Sequence, residues 1–207
     1  MPTNATSKNN DSTREVKRQR IMRAAIEVFA LKGYFAARMT DVAQAAEVAD
    51  GTLYLYFEGK EDLLINIFDD IFTRFTERVR QEIEQVPDPM EKLRKVVRLH
   101  LETLGQDRAL AQFLQIETRH SRRFMNLFTR GRLGDYLGLM RAVIEEGQRS
   151  GAFRKDISPG LGIIYVFGAV DEAVTSWLLE DEPSDLARRV EPLVSLLCSG
   201  IAQGQNT

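Results

Sequence analysis

Between Thr40 and Phe57 the chain reads TDVAQAAEVADGTLYLYF, and this stretch leaves few folds open. Thr40 is a good helix start, and Val42, Ala43 and Ala46 then supply a small apolar inner face. Glu47-Val48 leaves room only for a tight turn, after which a third short helix runs from Asp50 to about Phe57. Two short helices around such a turn make a helix-turn-helix. On a helical wheel Leu53 and Phe57 point the same way, beside Val48 from the turn, and plug the third helix onto the first two. Gly51, Thr52 and Leu55 then face outward, with Tyr54 and Tyr56 on the flanks. Such a face suits a DNA groove. Gly51 permits close backbone approach, Thr52 can hydrogen-bond, and Leu55 can touch a thymine methyl. The tyrosine hydroxyls reach phosphates. Arg38, Thr40 and Lys60 sit at helix starts around this face, where cations and backbone N–H groups favour phosphate oxygens. The alternative is an aromatic-rich packing helix in a bundle.

The rest of the chain has the same helical period, and no run alternates in the manner of a strand. Ser12-Thr13-Arg14-Glu15 is a capping box that opens the first helix. Its stripe is Ile21, Ala24, Ala25, Val28 and Phe29, and Gly33 closes it. A long helix from Lys60 stops at Pro87-Asp88-Pro89. Asp88 caps the next, with Pro89 at its first position and Glu91 completing the box. Asp107 caps another, Ser121 opens one that Gly151 closes, Ser158-Pro159 opens the next, and Ser184 caps the last. The expectation is an all-α chain of about nine helices: a disordered tail over 1–12, a DNA-binding domain over 13–59, and a larger helical domain over 60–207.

Charge is nearly balanced, with 28 Lys and Arg against 30 Asp and Glu, so a wholly basic nucleic-acid-coating protein is excluded while a local basic patch is not. Arg14, Lys17, Arg18, Arg20 and Arg23 form such a run, fit either to lie along a DNA backbone or to remain a solvated helix face. The single cysteine, Cys198, allows no intrachain disulfide and fits a reducing cytoplasm. The N-terminal residues lack an apolar core of the secretory kind. The longest apolar run, Leu161 to Val170, is far short of a bilayer span. An enzyme finds little support: His100 and His120 are isolated, no zinc-ligand spacing occurs, and Gly160-Leu161-Gly162 follows a proline rather than a strand. No metal and no cofactor are expected. Gly131, Gly134 and Gly138 recur at helical spacing, which fits close helix approach or a weak helix.

Two segments of the larger domain bear on what it binds. Ile116 to Tyr136 holds Arg119, Arg122, Arg123, Arg130 and Arg132, interleaved with Phe124, Met125, Leu127 and Phe128. Arginine forks bind phosphate bidentately, and beside apolar side chains they suit an amphipathic anion. Surface salt bridges are the plainer account of any one of them. Ile163 to Leu186 carries a stripe of Phe167, Val170, Val174, Trp177 and Leu178, with Asp171 and Glu172 inside it as carboxylates that need partners if buried. A sensor of aromatic or cationic drugs would use Asp171, Glu172 and Trp177 as its pocket. The arginine cluster, which repels cations, opposes that alternative.

The block IMRAAIEVFALKGYFAARMTDVAQAAEVADGTLYLYFEGKEDLL resembles the N-terminal domain of the TetR family of bacterial transcriptional repressors. The family's G-x-x-Y-x-[HY]-F and following K-x-x-L are met by Gly51, Tyr54, Tyr56, Phe57, Lys60 and Leu63. The resemblance implies Thr40, Gly51, Thr52, Tyr54, Tyr56 and Lys60 as DNA contacts. Leu55 departs from it, since many members have an aromatic residue there. Together with QIETRHS and FGAVDEAVTSWLLEDEPSDL, the block is similar to the fatty-acid-degradation regulators of that family, repressors that bind long-chain acyl-CoA. That resemblance implies arginines on the CoA phosphates and an acyl tunnel, for which Phe113, Ile116, Phe128, Leu133, Tyr136, Leu137, Met140, Tyr165 and Phe167 are candidates. It also implies a two-fold homodimer built on the last two helices and a double-stranded palindromic operator as partner.

Overall fold

The computed structural model describes the backbone of residues 5–117, 131–180 and 184–202. Among these all the regular structure is helical apart from one isolated bridge between Phe153 and Ala202. It divides into two units, Met1–Phe68 and Asp69–Thr207. The division falls inside a helix, not at its start as expected. Leu63, Leu64, Ile67 and Phe68 are buried and separate from the apolar cluster of the second unit, so the first turns of that helix complete the smaller core.

In the first unit α1 spans Ala5–Lys32, α2 Met39–Ala45 and α3 Asp50–Leu53, and α4, Lys60–Glu84, begins there. The helix α1 starts inside the segment read as a tail, and its expected capping box lies within it. No glycine or proline interrupts Ala5 to Lys32, so nothing stops the helix from propagating upstream. The expected stripe is the buried one: Ile21, Ala24, Ala25, Val28 and Phe29 are all at most 8% exposed. Gly33 leaves the helix at φ 80°, as a C′ glycine does.

The start of α2 also moves. Arg38, not Thr40, is the N-cap, because the Asp41 carboxylate reaches back to accept the Arg38 N–H at 2.8 Å. Asp41 also accepts from Lys32 Nζ at 2.9 Å, and this partner, followed by the Arg38 N–H, lowers its pKa. After α2 the Val48 N–H returns to the Ala43 carbonyl at 3.0 Å, closing a Schellman turn whose αL residue is Glu47, at φ 53°. The third helix is shorter than expected. Its last turn tightens, with the Leu55 N–H donating to the Thr52 carbonyl and the Tyr56 N–H to that of Leu53.

In the second unit the remainder of α4 packs with α5 (Pro89–Gly105), α6 (Arg108–Gln112), α7 (Arg132–Ser150), α8 (Pro159–Leu178) and α9 (Ala187–Ile201). Asp88, Asp107 and Ser158 each accept an N-terminal amide of α5, α6 and α8, as their positions predict. Gly151 ends α7 at φ 83°. For α9 the acceptor is the Asp185 carboxylate, 3.0 Å from the Ala187 N–H. The expected cap, Ser184, instead donates its hydroxyl to Glu180 and offers its carbonyl to the Trp177 indole at 2.6 Å. Directly after α6 the backbone widens into a π-helical turn, Phe113–Glu117.

Candidate nucleic-acid interface and effector cleft

The recognition face is built from the anchors outward. Leu53 and Phe57 are 0% and 1% exposed, which fixes α3 and its closing turn on the α1–α2 core. Helical geometry then turns the intervening residues out: Tyr54 is 59% and Leu55 72% exposed, and Gly51 is open as well. Thr52 and Tyr56 are half-buried on the flanks, and Arg38 and Thr40 lie exposed at the start of α2. Arg14 stacks its guanidinium over the Tyr56 ring at 5.8 Å. Arg18 lies 5.7 Å over the Phe57 ring and donates to Asn66 Oδ1 at 2.8 Å. This part of the basic run therefore braces α3 and α4, and Arg23 pairs with Glu27 along its own helix at 2.9 Å.

Lys60 was expected to present its ammonium to phosphate. Instead Nζ donates to the carbonyls of Tyr34, Phe35 and Ala37 at 2.8, 3.2 and 2.9 Å and lies 4.7 Å over the Tyr34 ring. Partial burial pulls its pKa below the usual lysine range. Its ammonium is a clamp on the loop between α1 and α2, because the cation's three donors converge on three carbonyls of that loop.

In the second unit four rings meet at the centre. The Phe75 ring stands edge-on to Tyr136 and His100 at 5.1 and 5.6 Å, and Phe167 lies 5.9 Å from His100 and 6.3 Å from Tyr136. His100 Nδ1 and the Tyr136 hydroxyl share a hydrogen bond of 3.1 Å. Burial pushes the His100 pKa down to about 4 against the opposing pull of Asp171, and pushes the Tyr136 hydroxyl up. Both groups are therefore neutral around pH 7. Nearby, the Thr175 hydroxyl, which also bonds the Asp171 carbonyl, lies 3.4 Å from buried Gln115 in the π turn.

Between α4 and α7 lies an open cleft of about 690 Å³, with Phe72, Ile83, Leu139 and Val143 as apolar lining and Arg80, Lys92 and Arg132 as cations. Each cation has an acidic neighbour: Arg80 with Glu77 at 2.7 Å, Arg132 with Asp135 at 3.1 Å, and Lys92 with both oxygens of Glu146 at 2.8 and 2.7 Å. Apolar walls beside exchangeable cations suit an amphipathic anion. Lys92 and Arg80 escaped sequence reasoning because they lie on different helices, with no local run to mark them.

Residues 21–67 match the family model described as bacterial regulatory proteins, tetR family, and residues 68–200 that of the YsiA-like protein C-terminal region. The chain belongs to the TetR family. Among its TetR-family relatives, the fatty acid metabolism regulator protein of Bacillus subtilis strain 168 is 36% identical over 189 residues, 89% of this chain and 95% of the relative. The fatty acid degradation regulator FadR of Bacillus halodurans superposes with a TM-score of 0.85 at 37% identity, covering 91% of this chain and 97% of that one. FadR from Bacillus subtilis in complex with stearoyl-CoA gives 0.83 at 35% identity, covering 88% and 98%. Both the all-helical expectation and the FadR-type resemblance hold. As a TetR-family repressor the chain is a transcriptional regulator, not an enzyme, and among the described residues no group of three or more His, Cys, Asp or Glu is placed to hold a metal.

The candidate effector residues separate in this TetR-family fold. Arg119, Arg122, Arg123, Arg130 and Phe128 lie outside the described residues, as does Ser121. Arg132 lines the cleft. Leu133, Tyr136 and Met140 are buried in the second core, with Ile116, Leu137 and Phe167 partly buried against it, and Phe113 is also buried. Tyr165 is a correction: it is 39% exposed, and its hydroxyl donates to the Leu196 carbonyl at 3.3 Å. It sits one residue before the buried Val166, so the turn of α8 carries it to the outer face shared with α9. The drug-pocket trio does not assemble either. Glu172 is exposed, and Trp177 is covered by the Arg108 guanidinium at 4.8 Å.

Proposed function

We propose that this repressor binds a palindromic operator as a homodimer and is released by a long-chain acyl-CoA, so controlling fatty-acid degradation genes in the cytoplasm. The observation that carries the effector class is its likeness, over 88% of the chain, to a FadR solved with stearoyl-CoA. The amphipathic α4/α7 cleft and the apolar interior of Phe113, Tyr136, Met140 and Phe167 support the same class. The arginines 119, 122, 123, 130 and 132 are the candidates for the CoA phosphates.

On the DNA side Gly51, Thr52, Tyr54, Leu55 and Tyr56 enter the major groove, with Arg38 and Thr40 on the backbone. Lys60 contributes through the amide at the start of α4, where helix N–H groups lack helical partners, since its ammonium is occupied. Two-fold symmetry places half-sites about one helical turn, roughly 34 Å, apart. Helix α4 begins in one unit and ends in the other, so an effector that moves its C-terminal half changes the placement of the reading head. The coupling expected between the two ligands is about 1–3 kcal/mol.

Gel-shift titration of a palindromic operator with and without saturating stearoyl-CoA tests this. Release of DNA by stearoyl-CoA, and not by drug cations, is expected. Unchanged operator affinity would defeat the induction model.

A further inference from the structure

The glycines at 131, 134 and 138 have no role in the reading so far. Gly138 does not serve close helix approach: a Cβ there would meet nothing within 4 Å. Gly134 and Gly138 both line the α4/α7 cleft, where they leave a groove that larger side chains would fill. Across it, Thr76 of α4 lines the same cleft, is 5% exposed, and has a buried hydroxyl with no hydrogen-bond partner. A helical threonine ordinarily returns its hydroxyl to a carbonyl one turn back, and a buried hydroxyl left unpaired is destabilising.

The position of Thr76 points to what would pair with it. It follows directly on Phe75, whose ring belongs to the aromatic interior, and precedes the cleft cation Arg80 by about one turn. Within the cleft itself Thr76 stands between Phe72 and Arg80 of α4, so the hydroxyl lies between an apolar side chain and a cation. An acyl thioester has a carbonyl oxygen, an acceptor only, at the matching junction between its chain and its anionic head.

We propose that Thr76 donates its hydroxyl to the thioester carbonyl of the bound effector, in a groove that Gly134 and Gly138 keep open. This rests on the acyl-CoA reading and deepens it. The hydroxyl is closed off in this state, so the bond forms only as the ligand draws α4 aside. It is thus an interaction made in one state and not the other, which is what a switch requires.

The test is calorimetric titration of the full-length protein with palmitoyl-CoA and with S-hexadecyl-CoA, the thioether that lacks the carbonyl. Thr76→Val is expected to weaken palmitoyl-CoA binding up to about tenfold and to leave the thioether within about twofold. Thr76→Ser should keep most of the palmitoyl-CoA affinity. The ligand-free melting temperature of Thr76→Val should equal or exceed that of the parent, since the hydroxyl it removes is unpaired. Equal losses for both ligands, or none for either, would overturn the assignment of Thr76 alone. A parent protein that binds neither ligand would overturn the acyl-CoA reading, and this assignment with it.

Discussion

His100 shows how a single buried side chain can tie stability to pH. Its folded pKa is depressed to about 4 from an ordinary 6.5, because burial penalises the imidazolium. Between those values the unfolded chain binds a proton that the folded chain does not. The contribution is therefore fully present above pH 6.5 and lost as pH falls towards 4, amounting to about 3 kcal/mol. His100→Phe should flatten thermal stability against pH across that window, as melting curves from pH 4 to 7 would show. Glu47 makes a second case. As a non-glycine αL residue it carries a penalty of about 1–2 kcal/mol. Glycine relieves that penalty but gives back about 0.5–1 kcal/mol in unfolded-chain freedom. Glu47→Gly should accordingly stabilise the protein by about 0.5–1 kcal/mol, read as a rise of a few degrees in melting temperature. Single residues were legible where periodicity governs them, as with Leu53 and Phe57. Lys60 was misread because its carbonyl partners lie 23 to 26 residues back, and no spacing rule encodes that reach.

The elements were legible mainly through their caps and breakers. Asp88, Asp107 and Ser158 mark real helix boundaries because their side chains accept the amides beside them, and Gly151 because it turns left-handed at the helix end. Extents were less legible where two local signals competed. Thr40 is a good cap by type, yet Asp41 wins by bonding both the Arg38 N–H and Lys32. The joint between α4 and the α1–α2 loop is the element-level device that the sequence hid. Replacing Lys60 by Met keeps the apolar stem but leaves carbonyls of Tyr34 and Ala37 without their donor. The first unit should lose about 1–3 kcal/mol. Limited proteolysis should then cut the loop near Phe35 faster in Lys60→Met than in the parent, while acyl-CoA binding by the second unit stays intact. Equal cleavage rates would show that the clamp carries no stability.

At the scale of the molecule the second unit leaves an apolar face uncovered. On α8, Leu161, Ile164 and Tyr165 are 52%, 69% and 39% exposed, and on α9 Leu196 is 68% exposed. Their spacing puts Leu161, Ile164 and Tyr165 with the open Gly168 on one side of α8, and the Tyr165–Leu196 hydrogen bond joins that side to α9. Such an apolar patch is not left to water without reason, and a second copy presenting the same two helices would bury it self-complementarily. This is the same pair of helices on which the family resemblance implies a homodimer. Its outward residues could not be told from core residues beforehand, since α8 is apolar on nearly every side; only neighbouring helices decide which side is covered. Ile164→Glu combined with Leu161→Glu places two like charges at the patch and four across a two-fold axis. Light scattering should then report a monomer for the variant and a dimer for the parent. Operator affinity should fall steeply in step, because a monomer engages one half-site and forfeits the joint binding of two. Palmitoyl-CoA affinity should fall far less if the cleft between α4 and α7 is complete within one subunit, as its lining implies. A doubly charged variant that stayed dimeric would mean that the subunits pair through another face.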